Sequence, residues 1–313
     1  MFDVICIGNL VADLVGKSID GLPERGTQAL VERMELHTGG CGANVGASLA
    51  KLGVKTAVIG KVGQDGLGDF VVQRLQDEGC EVSGVKRDSE AATSATMVLV
   101  HSDGERSFLH SFGANATLSL NDIDRDRLSQ TKFLMIAGAL TLTNLDGEPT
   151  AELLKEAKKA GIITVLDLVW DAKGLWMSKL APCLPYVDYF LPNLTEARKL
   201  TPALQEASEV ADFLLSKGVG AICIKMGAKG SFTKTRSGET IFTPALKVLA
   251  IDGLGAGDAF DAGFLAAMLR GESLERCLKV ATAVGACCVT RLGATTGVRT
   301  YDETLAFMAE FER

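Results

Sequence analysis

Residues 252–260 are Asp-Gly-Leu-Gly-Ala-Gly-Asp-Ala-Phe, and this stretch decides the fold. Three glycines within five residues do not suit the interior of a helix or strand, because an ordered glycine loses more backbone freedom than any other residue. An apolar run with helical spacing, Ala259 to Leu269, begins directly behind them. The stretch therefore predicts a tight turn that leads into the N-terminus of a helix.

A turn of this kind has a chemical use. It leaves backbone N–H groups unpaired at the positive end of the helix dipole, which suits a phosphate or a developing oxyanion. Asp258 lies at the same place, where a carboxylate can accept a proton from a hydroxyl while the amides hold a phosphoryl group. These residues alone leave a second interpretation open, in which Asp258 only complements the helix dipole and the glycines only form a bend.

Composition narrows the class of protein. The chain has 313 residues, of which 47% are hydrophobic, and this favours one large α/β domain with an added subdomain. A net charge of −7 argues against a nucleic-acid partner, because phosphate backbones are bound by basic surfaces. The eight cysteines include no Cys-x-x-Cys pair, as is typical of buried, reduced thiols. No basic leader or long apolar run is present, so we expect a soluble cytoplasmic protein without a membrane partner.

The pattern of elements predicts the architecture. Apolar strands alternate with amphipathic helices along most of the chain, beginning with the strand at residues 2–8. This alternation predicts a mostly parallel sheet between layers of helices.

Two segments break the alternation. Residues 29–36 alternate apolar and polar side chains, and residues 96–110 predict a hairpin with an Asp-Gly turn at 103–104. We assign both segments to one small β-sheet lid subdomain, built from residues 10–38 and 90–112. The rest of residues 1–313 completes a single domain.

Three glycine-bearing sites on a chain of this length resemble the ribokinase-like (PfkB) family of carbohydrate kinases. Residues 39–44, Gly-Gly-Cys-Gly-Ala-Asn, match the first signature of that family, and residues 252–258 match the second except at Gly253, where the family usually has Thr. Lesser motifs follow in the expected order: Gly8-Asn9 with Asp13, Asn193-x-x-Glu196, and residues 226–230. A dinucleotide-binding dehydrogenase fits less well, because Gly-x-Gly-x-x-Gly does not follow the first strand, and a P-loop pattern is also absent.

The resemblance implies a ribokinase-like fold and an ATP-dependent, Mg²⁺-requiring kinase. The γ-phosphoryl group would be transferred to a primary hydroxyl of a small sugar or sugar-like polyol. Asp258 is then the catalytic base, and the amides of Gly255, Ala256 and Gly257 form the anion hole.

The resemblance also assigns binding residues. The sugar would be held by Asp13, Gly40, Asn44 and Arg106. The nucleotide would be held by Asn193, Lys225, Gly227, Gly230 and Gly257. Glu196 would hold Mg²⁺ through water, and Asp252, with carbonyl groups around residues 293–297, would form a potassium site. Asn193 and Glu196 have a plainer alternative as a capping box that starts a helix.

Departures from the family pattern leave the acceptor open. Val11 stands where a ribokinase-like sugar site prefers Asn, so ribose is not identified as the substrate. A nucleoside kinase remains an alternative, and the change at Gly253 keeps open a catalytically weak nucleotide-binding protein of the same fold. Asp261 lies one helical turn after Asp258, and because burial of both carboxylates would raise the pKa of one, we expect Asp261 to point away from the cleft.

A small sheet without helices of its own also predicts a partner. Such a sheet leaves one apolar face uncovered, which is unusual in a monomer. The resemblance implies a homodimer in which the lids pair across a two-fold axis. Candidates for the apolar face are Leu30, Met34, Val98 and Val100, although alternation does not decide whether these side chains face the partner or the sugar.

Overall fold

The computed structural model describes residues 1–103 and 105–311, so Gly104 of the predicted hairpin turn lies outside the described residues. The strands are β1 (Phe2–Gly8), β2 (Val11–Lys17), β3 (Arg33–Gly39), β4 (Thr56–Gly63), β5 (Val85–Asp88), β6 (Ala95–Val100), β7 (Arg106–Ser111), β8 (Thr131–Ala139), β9 (Ile163–Leu168), β10 (Tyr189–Phe190), β11 (Ala221–Lys225), β12 (Ser231–Thr235) and β13 (Thr240–Thr243). The α-helices are α1 (Cys41–Lys51), α2 (Gly66–Asp77), α3 (Arg125–Leu128), α4 (Glu148–Lys159), α5 (Trp176–Leu180), α6 (Leu194–Leu200), α7 (Ala207–Ser216), α8 (Ala256–Leu269), α9 (Leu274–Cys288) and α10 (Tyr301–Ala309).

A nine-stranded sheet forms the body of the protein, in the order β13-β12-β11-β10-β9-β8-β1-β4-β5. The strands from β5 to β11 in this order pair in parallel, and β12 and β13 are antiparallel at one edge. Central strands such as β1 are apolar and buried because helices cover both faces of the sheet. The predicted mostly parallel sheet between helices is confirmed.

Alternate residues of β1 enter two separate cores. Ile5 and Ile7 pack in the core on one face of the sheet, whereas Val4 and Cys6 pack on the other face with residues of α8 and α9. Helix α8 is itself packed between α1 and α9. The N-terminus of α8 is thereby held near the carboxyl ends of the central strands, which is where open α/β sheets bind ligands.

A separate four-stranded sheet, which we call the small sheet, has the order β3-β2-β6-β7. Strands β2 and β6 pair in parallel, and the other two pairs are antiparallel. Its strands lie within residues 11–39 and 95–111, and β3 begins at Arg33 rather than near residue 29. Leu30 therefore lies outside the sheet.

The two faces of the small sheet differ from the prediction for Val98 and Val100. Both valines lie on the same face as Asp13, since Asp13 pairs with Thr96, and Val98 is only 2% exposed. The exposed apolar face is formed instead by Leu14, Leu36, Met97 and Leu109, with Met34 beside them. Val98 and Val100 were assigned to the wrong face because alternation alone does not show which of two apolar faces is covered by other elements.

All eight cysteines are free thiols, and all but Cys41 are buried. This agrees with the prediction of reduced cysteines. None of the helices within the described ranges has both the length and the apolar character required to cross a lipid bilayer.

Candidate active site

The turn before α8 has the geometry that its glycines predict. Gly255 adopts a left-handed conformation with φ 73°, and a Cβ atom there would lie 2.3 Å from the carbonyl oxygen of Ala294. Glycine is therefore required at this position. Helix α8 begins at Ala256, whose N–H makes only a long 3.4 Å contact with the carbonyl of Gly253. The first N–H groups of a helix have no acceptor inside it, so this end of α8 can bind an anion.

Asp258 lies in the first turn of α8 and is 8% exposed. Its Oδ2 accepts a hydrogen bond of 2.8 Å from Nδ2 of Asn44, which α1 brings to the same place. Burial raises the pKa of the Asp258 carboxyl above its ordinary value, and the bond from Asn44 acts in the opposite direction. The Oδ1 atom of Asn44 is buried and has no partner in the described part of the chain. It is thus available to a hydroxyl group placed beside Asp258.

The glycine pair before α1 lets the small sheet approach the large one. A Cβ atom on Gly39 would lie 1.9 Å from Oδ2 of Asp13, and one on Gly40 would lie 2.4 Å from the carbonyl oxygen of Asn9. Only glycines leave space for these contacts, and Gly40 also has a φ of 87°. Asp13 is buried beside them, which raises the pKa of its carboxyl.

Arg106 and Asp252 lie together, although the sequence assigned them to different ligands. The guanidinium of Arg106, at the start of β7, is 2.8 Å from Oδ1 of Asp252. The same Asp252 accepts N–H bonds from Leu254 at 2.8 Å and Gly293 at 2.9 Å. The small sheet is therefore tied directly to the turn that precedes α8.

Asn193 and Glu196 form the capping box that was the plainer of the two predictions. The Glu196 N–H donates to Oδ1 of Asn193 at 2.9 Å, and the Asn193 N–H donates to Oε2 of Glu196 at 3.1 Å. The box lies next to the end of β11, where the Lys225 N–H donates to the carbonyl of Pro192. Burial, and next the charge of Asp167, raise the pKa of Glu196 to about 8.

The segment after β11 is a short 3₁₀ turn at Gly227–Lys229. Gly227, the first residue of the turn, and Gly230, which follows it, have positive φ values of 59° and 96°. A Cβ atom on Gly230 would overlap the carbonyl of Thr243 at 2.0 Å, whereas one on Gly227 would meet nothing within 4 Å. Gly230 is thus required for packing, and the space at Gly227 is open.

Lys225 lies among buried carboxylates. Its Nζ is 3.0 and 3.1 Å from the two carboxylate oxygens of Asp261 and 3.2 Å from Oδ2 of Asp167. Oxygen atoms of Asp167, Asp258 and Asp261 lie within 4.8 Å of one another. Four elements, β9, β11, α6 and α8, therefore contribute charged groups to one small volume.

The prediction that Asp261 points away from the cleft is wrong. Asp261 is 0% exposed and faces Lys225. Burial, and next the charge of Asp167, raise its pKa well above the ordinary value. Lys225 places a positive charge between Asp167 and Asp261, a contact that sequence spacing did not show.

Asp167 is a site residue that sequence reasoning missed. It follows four apolar or small residues in β9 and is buried at the carboxyl end of that strand. The sequence contained a signal for this residue, because an acidic side chain at the carboxyl end of a central parallel strand is unusual unless it has a charged partner or a function.

Comparison with known proteins identifies the family of this chain. The model of the pfkB family of carbohydrate kinases matches residues 1–300. A ribokinase from Haemophilus influenzae is 30% identical over 96% of this chain and 97% of its own length. An ATP-dependent ribose-1-phosphate kinase from Halopiger xanaduensis is 30% identical over 99% of each chain.

Comparison with solved structures gives the same fold family. The structure of Arabidopsis thaliana ribokinase complexed with ribose and ATP is 26% identical, with a TM-score of 0.86 over 98% of both chains. The large sheet, the small sheet and the glycine turn before α8 thus occur together in a chain that the family model matches almost from end to end. The protein belongs to the pfkB family and is a carbohydrate kinase.

Proposed function

We propose that Asp258 is the base of this kinase and that the N-terminus of α8 is its anion hole. The observation that carries the proposal is the 2.8 Å bond between Asn44 and Asp258 at the first turn of that helix. A sugar hydroxyl bound there would meet a carboxylate that accepts its proton. The amides of Gly255, Ala256 and Gly257 would hold the phosphoryl group being transferred.

The acceptor is a small polyol bound between the small sheet and α1. The buried Asp13 carboxylate and the free Oδ1 atom of Asn44 are hydrogen-bond acceptors that suit sugar hydroxyls. Gly40 lets the chain before α1 pack closely against Asn9, and Arg106 would lie at the edge of this space, where it bonds to Asp252. We infer a primary hydroxyl as the target, because a chain-end oxygen most readily reaches Asp258 from a sugar held by its other hydroxyls.

The nucleotide would lie on the other side of the turn. Asn193 and Lys225 meet at the edge of this region, and the open space at Gly227 continues it. The compact Gly230 keeps the following hairpin close to the sheet. ATP bound here would direct its γ-phosphate toward the N–H groups of Gly257 and its neighbours.

The donor set fits Mg²⁺. Carboxylate oxygens are the ligands that this ion prefers, and it usually keeps several waters. Oδ1 of Asp167 is buried and has no partner in the part of the chain that the structure describes, and Glu196 lies close by. Glu196 would hold the ion through water. When bound, Mg²⁺ neutralises charge on the phosphates of ATP.

The small sheet would also pair two copies of the chain. Its exposed face consists of Leu14, Leu36, Met97 and Leu109, and a groove of about 520 Å³ runs over it. Side chains of this kind are rarely left open over a large area on a monomer. A homodimer would cover this face and support the sheet over the acceptor.

The free cysteines support a reducing location such as the cytoplasm, because seven of them are buried and none forms a disulfide.

The direct test is an ADP-release assay over candidate acceptors. Pentoses, hexoses, keto-deoxy acids, inositol and nucleosides are compared at equal concentration with ATP and Mg²⁺. We expect turnover with one class of small sugar or polyol. A preference for nucleosides would favour the nucleoside kinase, and no turnover with any acceptor would favour a nucleotide-binding protein of the same fold.

A further inference from the structure

The ammonium group of Lys225 lies directly under the turn that opens α8. A Cβ atom built on Gly257 would be 3.3 Å from Nζ of Lys225. Gly257 is one of the residues whose amide we assign to the anion hole. The lysine charge is therefore next to the position that the transferred phosphoryl group would occupy.

Two carboxylates from different elements hold this ammonium. Asp261 of α8 contacts it through both oxygens, at 3.0 and 3.1 Å, and Asp167 of β9 contacts it at 3.2 Å. A lysine side chain is long and flexible, and its ammonium is a point charge that can bind in many geometries. Contacts from two sides, at a site where Asp261 is fully buried, leave Nζ little freedom.

The number of carboxylates exceeds what one lysine needs for neutralisation. Oxygen atoms of Asp167, Asp258 and Asp261 lie within 4.8 Å of one another; Lys225 contacts Asp167 and Asp261, and Asp258 accepts a hydrogen bond from Asn44. The contacts of Asp261 are with the Lys225 ammonium and the neighbouring Asp167 carboxyl, and these account for its position.

We propose that Asp261 is a positioning residue: with Asp167 it fixes the Lys225 ammonium against Gly257, where that charge stabilises the phosphoryl group during transfer. This inference rests on the proposed function of the α8 turn. A fixed charge in a site that excludes water acts more strongly than the same charge in solvent, and it requires no reorganisation when the reaction occurs.

The test is a double-mutant cycle with Asp261→Asn and Lys225→Met. Asp261→Asn keeps the size of the side chain and replaces its carboxyl group with a neutral amide. We expect it to lower kcat roughly 10-fold while the KM values for acceptor and ATP change less than about 2-fold, and Lys225→Met to lower kcat roughly 10²-fold. If Asp261 acts through Lys225, Asp261→Asn costs nothing further in the Lys225→Met background.

The control is Asp146→Asn, because Asp146 is also buried but bonds to the backbone N–H of Leu140. Its effect on kcat should be the same with and without Lys225. Thermal melting of every variant checks that the fold is kept.

Several outcomes would overturn the inference. Multiplicative effects of Asp261→Asn and Lys225→Met on kcat would show that the two residues act separately. An unchanged kcat in Asp261→Asn alone would show that Asp261 does not position Lys225 for catalysis, and this result holds even if Lys225→Met does not fold. Failure of the proposed function is distinguishable, because it would appear as full turnover in Asp258→Asn.

Discussion

Arg106 of the small sheet forms an ion pair of 2.8 Å with Asp252, the residue that begins the turn before α8. Asp252 is almost fully buried, and its two oxygens also fix the N–H groups of Leu254 and Gly293. The pair therefore connects the small sheet to the turn that leads into α8, the segment that we propose as the anion hole.

We predict that Arg106→Gln raises the KM for the acceptor about 10-fold and changes kcat much less, because a hydrogen bond between charged groups contributes about 1.5–3 kcal/mol. Steady-state kinetics with varied acceptor measures the effect. Arg33→Gln is the matched control, since Arg33 is also on the small sheet but is exposed and pairs with Glu35. Equal effects of the two substitutions would contradict a specific role for the Arg106 contact.

Potassium is expected to raise kcat several-fold over sodium at equal ionic strength. Asp252 lies beside this segment because its Oδ2 accepts the N–H of Gly293, and we propose that carbonyl groups of residues 293–297 complete a site for a monovalent cation. Asp252→Asn should remove the difference between the two salts. Identical rates in potassium and sodium for the unmodified enzyme would dismiss the cation site.

Asn44→Ala should move the acid limb of the pH profile of kcat/KM to higher pH. The bond from Asn44 lowers the pKa of Asp258 against the effect of burial, so its loss raises that pKa. A base must be ionised to act, and activity falls as the pH falls through its pKa, so a higher pKa shifts the loss of activity upward. Asn121→Ala, at an exposed asparagine, is the control. An unshifted limb in Asn44→Ala would contradict the assignment of Asp258 as the titrating base.

Met97→Lys combined with Leu109→Lys should give a folded monomer. These side chains are 47% and 52% exposed on the open face of the small sheet, and two lysines there would oppose each other across a dimer. Light scattering at micromolar concentration measures the mass. Phe242→Lys, at an exposed residue of β13, should leave the dimer intact. A monomeric unmodified protein would remove the dimer proposal.

The sequence was sufficient for the large sheet and for the glycine turns. Apolar strands separated by amphipathic helices are typical of a mostly parallel sheet, and the strand predicted at residues 2–8 is β1 (Phe2–Gly8). The turns at Gly40 and Gly255 were predictable because clustered glycines mark positions that other residues cannot occupy. The structure gives the reason, since both glycines have positive φ and close backbone contacts.

The relations among side chains from distant segments were not predictable. Asp167, Lys225 and Asp261 come from three parts of the chain, and only their packing shows that one ammonium satisfies two acids. The face on which Val98 lies was not predictable for a similar reason, because both faces of β6 are apolar and the elements that cover one of them come from elsewhere in the chain. The Arg106–Asp252 pair likewise depends on how the small sheet lies over α8.

The central claim is that Asp258 is the catalytic base, and kinetics of Asp258→Asn test it most directly. We predict that kcat falls roughly 10²-fold or more while nucleotide affinity, measured by calorimetry, changes little. Asp302→Asn is the control, because Asp302 is an exposed acid in the first turn of α10 and can only complement a helix dipole. Near-normal kcat in Asp258→Asn, or equal losses of kcat and nucleotide affinity, would show that Asp258 has a structural role instead.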